Sequence, residues 1–182
     1  MFPALLRKQT ALLGFLRRNL KNAPPKLKEI AYFSLVRSVV EYSATVWDPH
    51  LCKDRDALEM VQRRAARHVK NDHRQTSSVT QMLKDLGWES LADRRRDLRL
   101  VLLHKIVNHF AMVTTDDNLI PANLRTRANH PYKFRNIRAN TTIFRYSFFV
   151  NTIPAWNSLQ DETVRRMTAE TFNSRLKSEH RQ

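Results

Sequence analysis

Two glycines in 182 residues, Gly14 and Gly87, set the first limit on what this chain can fold into. Tight hairpins and bulges use glycine where the backbone needs a positive φ, and phosphate-cradling loops use several within a few residues. So small a supply counts against β-rich folds and against any fold built round a Gly-rich phosphate loop. A hydrophobic content of 42% is ordinary for a globular chain, so general disorder is not expected. The length allows one domain, or one with an appendage. A single cysteine, Cys52, excludes an internal disulfide framework and suits a reducing compartment. No apolar run approaches the roughly 18 residues of a membrane span, and MFPALLRKQT lacks the layout of a secretion signal. The expectation is a helical, basic, intracellular protein, nuclear or cytoplasmic, with no membrane partner.

Apolar spacing predicts the helices. Leu5, Leu6, Leu12, Leu13, Leu16 and Leu20 share one face of a helix that begins near Pro3 and breaks at Pro24-Pro25. A second helix is predicted over Lys26 to Val46. Its apolar residues surround the whole circumference, which places it at the centre of a bundle. A third, Asp54 to Lys70, carries Leu58, Val61, Ala65 and Val69 on one side. A short fourth runs from Ser77 or Ser78 to Leu86 and is stopped by Gly87. Ser90 and Asp93 resemble a capping box opening a fifth, Leu91 to about Phe110. Residues 115–140 read as a long loop and Thr141 to Val150 as a short strand. Ile153 to Leu159 is a helical turn carrying Trp156. Thr168 caps a last helix, Ala169 to Lys177. The predicted fold class is mainly α: a bundle of about five helices over residues 1–112, then an irregular basic, aromatic-rich arm over 113–182.

The net charge is +15 and uneven. Residues 1–75 contribute +8, 76–118 nothing and 119–182 another +7, with no acid between Asp117 and Asp161. Such an excess makes a polyanion the expected partner, nucleic acid ahead of membrane. Arg63, Arg64, Arg67 and Lys70 lie opposite the apolar stripe of the third helix. They are either a solvated face or phosphate contacts, whose binding releases counterions. Arg17, Arg18 and Lys21 form a second cluster. Arg94-Arg95-Arg96 is a third and weaker one, set in first helical turns where cations are disfavoured and where Asp93 and Asp97 are at hand as partners. Between Arg125 and Phe149, the cations Arg125, Arg127, Lys133, Arg135, Arg138 and Arg145 alternate with Tyr132, Phe134, Phe144, Tyr146, Phe148 and Phe149. That mixture suits base stacking along a single strand. Phe148 and Phe149 read better as anchors onto the helical core, with Tyr132 and Phe134 left open.

Catalytic and metal constellations are weak. His50-Leu51-Cys52 lacks the context of a nucleophile, and adding His68 or His73 gives one thiolate and no zinc-site spacing. His104 and His109 read as satisfied core or boundary histidines. Asp116-Asp117 resembles the paired aspartates of polymerases only in pairing, because no flanking apolar strand or third carboxylate accompanies it. No cofactor and no metal are expected.

Five stretches occurring in order carry a more specific signal. They are LLGFLRRNL (12–20), LVRSVVEYSATVWDP (35–49), LEMVQRRAAR (58–67), SSVTQMLKDLGWESLADRRRD (77–97) and YSFFVNTIPAWNSL (146–159). Together they resemble the thumb and C-terminal tail that follow the palm in reverse transcriptases of jockey-like, LINE-type non-LTR retrotransposons. Gln160 departs from the family's usual Pro after W-N-x-L. The resemblance implies a helical thumb that grips a template–primer duplex, RNA–DNA hybrid or DNA, without sequence preference. It also implies that the chemistry of the parent RNA-directed DNA polymerase lies in a palm, whose F/Y-x-D-D motif does not occur here. The expected function is therefore a non-catalytic nucleic-acid-binding fragment. An inert remnant of a decayed mobile element, or a truncated view of a full-length enzyme, are the alternatives.

Overall fold

The computed structural model describes residues 2–115, 117–122, 130–165 and 168–179. The fold is mainly α, and the chain divides into two compact units, 1–95 and 96–182. Among the described residues the extended pairing amounts to one bridge, between Pro121 and Phe134.

In the first unit, α1 (Phe2–Asn19) buries Leu13 and Leu16 against α5 (Cys52–Lys70) and α2 (Pro25–Tyr32). Pro25 occupies the first turn of α2, where its missing N–H is no loss. The single helix expected over Lys26 to Val46 is instead broken. After α2 comes a π-turn (Phe33–Arg37), then α3 (Ser38–Glu41), a left-handed Ser43 at φ 51°, and α4 (Ala44–Trp47). The buried residues explain the π-turn. Tyr32, Val36, Val40 and Ala44 repeat every four residues, and all are at most 1% exposed. Each four-residue step overruns an α-helical turn by about 40°, so three steps drift by about 120°. A turn closed by i→i+5 bonds, here Ser38 N–H to the Phe33 carbonyl, absorbs one extra residue and takes back about 100°. The expectation of all-round burial is also corrected. Leu27, Ile30 and Leu35 are about half exposed, and Tyr42 and Val46 are 79% and 81% exposed.

Tyr32 stacks on Trp88 at 4.8 Å, and its hydroxyl donates to Gln62 Oε1. Trp88 Nε1 donates to Glu29, and Gln62 Nε2 to the Glu89 carbonyl. These contacts tie α2 and α5 to the turn after α6 (Val79–Asp85). Ser78 caps α6, and Gly87 follows it at φ +65°. Ser90 accepts from the Asp93 N–H at the start of α7 (Leu91–Val107), and Glu59 of α5 accepts from the Ala92 N–H there. The division between the two units falls within α7.

In the second unit, Leu100 and Leu103 of α7 pack with Trp156, Leu159, Val164, Phe172 and Leu176. The short strand expected over Thr141 to Val150 is absent. Thr141 caps α8 (Thr142–Arg145), and Ser147 precedes α9 (Phe148–Asn157). Aromatic and β-branched residues suggested a strand, but the buried apolar residues Val150, Ile153 and Trp156 recur every three residues, with Thr152 buried beside them. Phe148 and Phe149 are half-buried against the core. A short α10 (Asp161–Val164) and α11 (Ala169–Glu179) complete the unit, with Thr168 accepting from the Thr171 N–H at the start of α11. His104 is fully buried and stacked on Phe172 at 4.4 Å, but neither of its ring nitrogens has a hydrogen-bond partner. It is a core histidine and an unsatisfied one, contrary to expectation. His109 is exposed, at φ 59°.

Candidate nucleic-acid interface

The helix α5 has a broad buried side: Leu58, Val61, Gln62, Ala65, Ala66, His68 and Val69. That breadth limits what its cations are free to do. Arg63 and Arg67 are half-buried, and Arg64 and Lys70 are exposed. Arg67 Nη1 donates to the Arg74 carbonyl at 2.7 Å. Lys70 Nζ lies 3.5 Å from Asp85 Oδ2 on α6. Of Arg63, Arg64, Arg67 and Lys70, Arg67 and Lys70 thus have partners within the protein. Arg64 precedes His68 by one turn, so the two share a side of the helix.

A different group converges where the C-terminal ends of α1 and α5 meet. Arg17 and Arg18 occupy the last turn of α1, and Lys21 follows it. All three are exposed, and with Gly14, His68, Asn71 and His73 they line an open groove of about 440 Å³. The α1 side chains come first in the chain. The others come from the end of α5, where Asn71 closes the helix in the left-handed conformation at φ 53°. Arg18 runs past Gly14, its Nη1 3.6 Å from where a Cβ there would stand, an ordinary contact distance. No carboxylate is among the lining residues. The nearest acid in sequence, Asp72, is engaged by Arg74 at 3.0 Å and by Ser77 at 2.7 Å.

Cations in the last turn of a helix are favoured by its dipole, which accounts for Arg17, Arg18 and Arg67 taken singly. It does not account for two such ends meeting in one groove that has no acid in its lining. His68 registers the result. It is 6% exposed, and its Nε2 has no hydrogen-bond partner. Burial, then the charges of Lys28 and Arg17, then His73, hold its pKa below the ordinary histidine value. Neutral at pH 7, it adds no charge to a groove that already holds three cations. An anion placed there would meet unopposed positive charge.

Arg135 and Arg138 belong to the second unit and line a separate pocket of about 210 Å³ with Asp117, Asn118 and Ile120. Arg135 also donates its backbone N–H to the Ile120 carbonyl. Tyr132 is exposed and Phe134 packs on the core beside Trp156. Trp156 Nε1 donates to the Tyr132 carbonyl, and Asn157 brackets Phe134 with bonds to both its N–H and its carbonyl. Phe134 is therefore an anchor and not a free stacking platform. Arg125 and Arg127 lie outside the described residues, as does Asp116.

In the third arginine cluster, Arg94 and Arg95 are held by acids of the first unit. Arg94 Nη2 bonds Glu41 at 3.0 Å, and Arg94 also reaches Glu89. Arg95, 1% exposed, bonds Asp48 at 2.7 Å. Acids 47 and 53 residues away, Asp48 and Glu41, thus hold Arg95 and Arg94, beyond the neighbouring Asp93 and Asp97 expected from sequence. Cys52 and His68 are separated by 16 residues of one helix, roughly 24 Å at 1.5 Å per residue, too far to share a metal ion. Among the described residues no three His, Cys, Asp or Glu side chains gather as a metal site. None of their helices is long and apolar enough to cross a membrane.

Sequence reasoning singled out Arg17, Arg18 and Lys21 but not what they face. His68 and His73 were considered there only as remote zinc ligands. The available signal was the position of His68 beside the apolar stripe of α5, a polar ring on the side that packs against α1. Compared with protein-family models, curated proteins and solved structures, the chain matches none.

Proposed function

We propose that this chain is a non-catalytic nucleic-acid-binding module, derived from the thumb and tail of a jockey-like, LINE-type non-LTR retrotransposon reverse transcriptase. It holds the sugar-phosphate backbone of an RNA–DNA hybrid or DNA duplex and does not read sequence. The observation that carries the binding role is the groove lined by Arg17, Arg18 and Lys21 with no carboxylate among its walls, in a chain of net charge +15. Arg63, Arg64 and Arg67 supply further charge on α5, whose Lys70 is paired with Asp85. The descent rests on the five ordered stretches of sequence.

Fluorescence anisotropy with a labelled duplex tests the binding role. Affinity should fall steeply between about 50 and about 300 mM salt, with a slope of about 0.9 per phosphate contact. The triple variant Arg17→Glu, Arg18→Glu, Lys21→Glu should lose at least about tenfold in affinity and show a shallower salt slope, with helicity by circular dichroism unchanged. Equal affinity for the variant and the parent overturns the assignment of the groove. One observation favours the alternative of an inert helical remnant: Leu27, Ile30, Tyr42 and Val46 are large apolar side chains left exposed. A remnant would bind the duplex weakly and equally in both forms.

A further inference from the structure

We propose that the groove between the C-terminal ends of α1 and α5 is a phosphate site, taking the phosphate of a nucleotide or of a nucleic-acid backbone, and that His68 makes its occupancy depend on pH. The backbone source rests on the function proposed above, whereas the phosphate chemistry does not.

Three features point the same way. The cavity, at about 440 Å³, is of the size that holds small ligands, and it is open enough for a strand to continue past it. Arg17, Arg18 and Lys21 have no ion-pair partner among the described residues, so their donors are available. His68 is the third feature, a nearly buried ring in the wall of a cationic groove with one nitrogen unpartnered.

The charges around His68 come from every element packed near it. Arg17 is on α1, the buried Lys28 on α2, and His73 lies in the turn after α5. All of them oppose a proton on the imidazole, and burial opposes it more. A phosphate in the groove reverses the sign of the local field, so the bound state favours the imidazolium that the empty state resists. By linkage, whatever raises the proton affinity of His68 is matched by an equal gain in phosphate affinity when His68 is protonated. The gain appears as pH falls below the ordinary histidine value and is absent above it. A coupling of one pKa unit corresponds to about a tenfold change in affinity. His73 is exposed on the rim of the groove.

The test follows the histidine ring resonances of the full chain by NMR in a buffer free of phosphate. Adenosine 5′-monophosphate is one arm and a short DNA duplex the other. Each is titrated at about pH 7.5 and about pH 5.5, on either side of the ordinary histidine range. The expected result is a shift of the His68 signals on addition of ligand and a rise of its pKa by about one unit. Duplex affinity should rise at the lower pH beyond the rise shown by His68→Leu. The exposed pair Arg17→Ala, Lys21→Ala should reduce the His68 response without disturbing the core. That pair keeps the test decisive if His68→Leu fails to fold. If the duplex binds and the His68 resonances and pKa do not move, this inference is wrong and the binding function stands. If the mononucleotide shifts His68 and the duplex does not bind, the phosphate site stands and the function proposed above fails. If neither ligand moves His68, the phosphate site is refuted.

Discussion

At the scale of single residues, His104 couples the fold to protons. Its ring is stacked between α7 and α11 with no partner at either nitrogen, and burial lowers its pKa. The unfolded chain takes up this proton near pH 6.5 and the folded one does so only at lower pH. Stability is therefore full above about pH 6.5 and declines as pH falls toward the folded value. His130 adds to the same trend. Its Nε2–H donates to the Trp156 carbonyl at 3.0 Å, its Nδ1 has no partner, and burial again lowers its pKa. Urea midpoints followed between about pH 7.5 and about pH 5 should drop for the parent chain and drop less for His104→Leu. At neutral pH the substitution should be neutral or stabilising by about 1 kcal/mol, because it removes an unsatisfied buried polar group and keeps most of the volume. A pH profile identical in both proteins would contradict this account.

At the scale of elements, the two glycines separate cleanly. Gly14 lies in the interior of α1, where an added Cβ meets only Arg18 Nη1 at an ordinary contact distance. Gly14→Ala should stabilise the first unit by up to about 1 kcal/mol. Gly87 ends α6 at φ +65°, and Gly87→Ala should cost about 1 kcal/mol although the space beside it is empty. Thermal denaturation of the two variants gives opposite signs if the backbone argument is right. This contrast also marks what was readable beforehand. Ser78, Gly87, Ser90 and Thr168 act on their own neighbours within a turn, so their helix ends are visible from sequence. The break over residues 33–43 is not, because no Pro or Gly marks it. It follows from which of two competing apolar spacings finds a partner, and that depends on Val61 and Trp88 far along the chain. The groove was half legible. Charge marked Arg17, Arg18 and Lys21, while His68, Asn71 and His73 reach them only through the packing of α1 on α5.

At the scale of the whole molecule, a charge of +15 acts on stability as well as on binding. Like charges at this density repel one another and weaken the compact state. Raising salt from about 20 to about 300 mM shortens the screening length and should raise the melting temperature by a few degrees, while nucleic-acid affinity falls over the same range. The opposite responses to one variable separate self-repulsion from ligand attraction. The arm over residues 132–136 bears on behaviour at high concentration. Lys133 and Arg135 bond across to the chain around Pro121 on one side, and Asn157 occupies the N–H and carbonyl of Phe134 on the other. A side-chain amide thus sits where a neighbouring strand would dock. The edge at Phe134 is thus taken, so edge-to-edge stacking into fibrils finds no template at that residue.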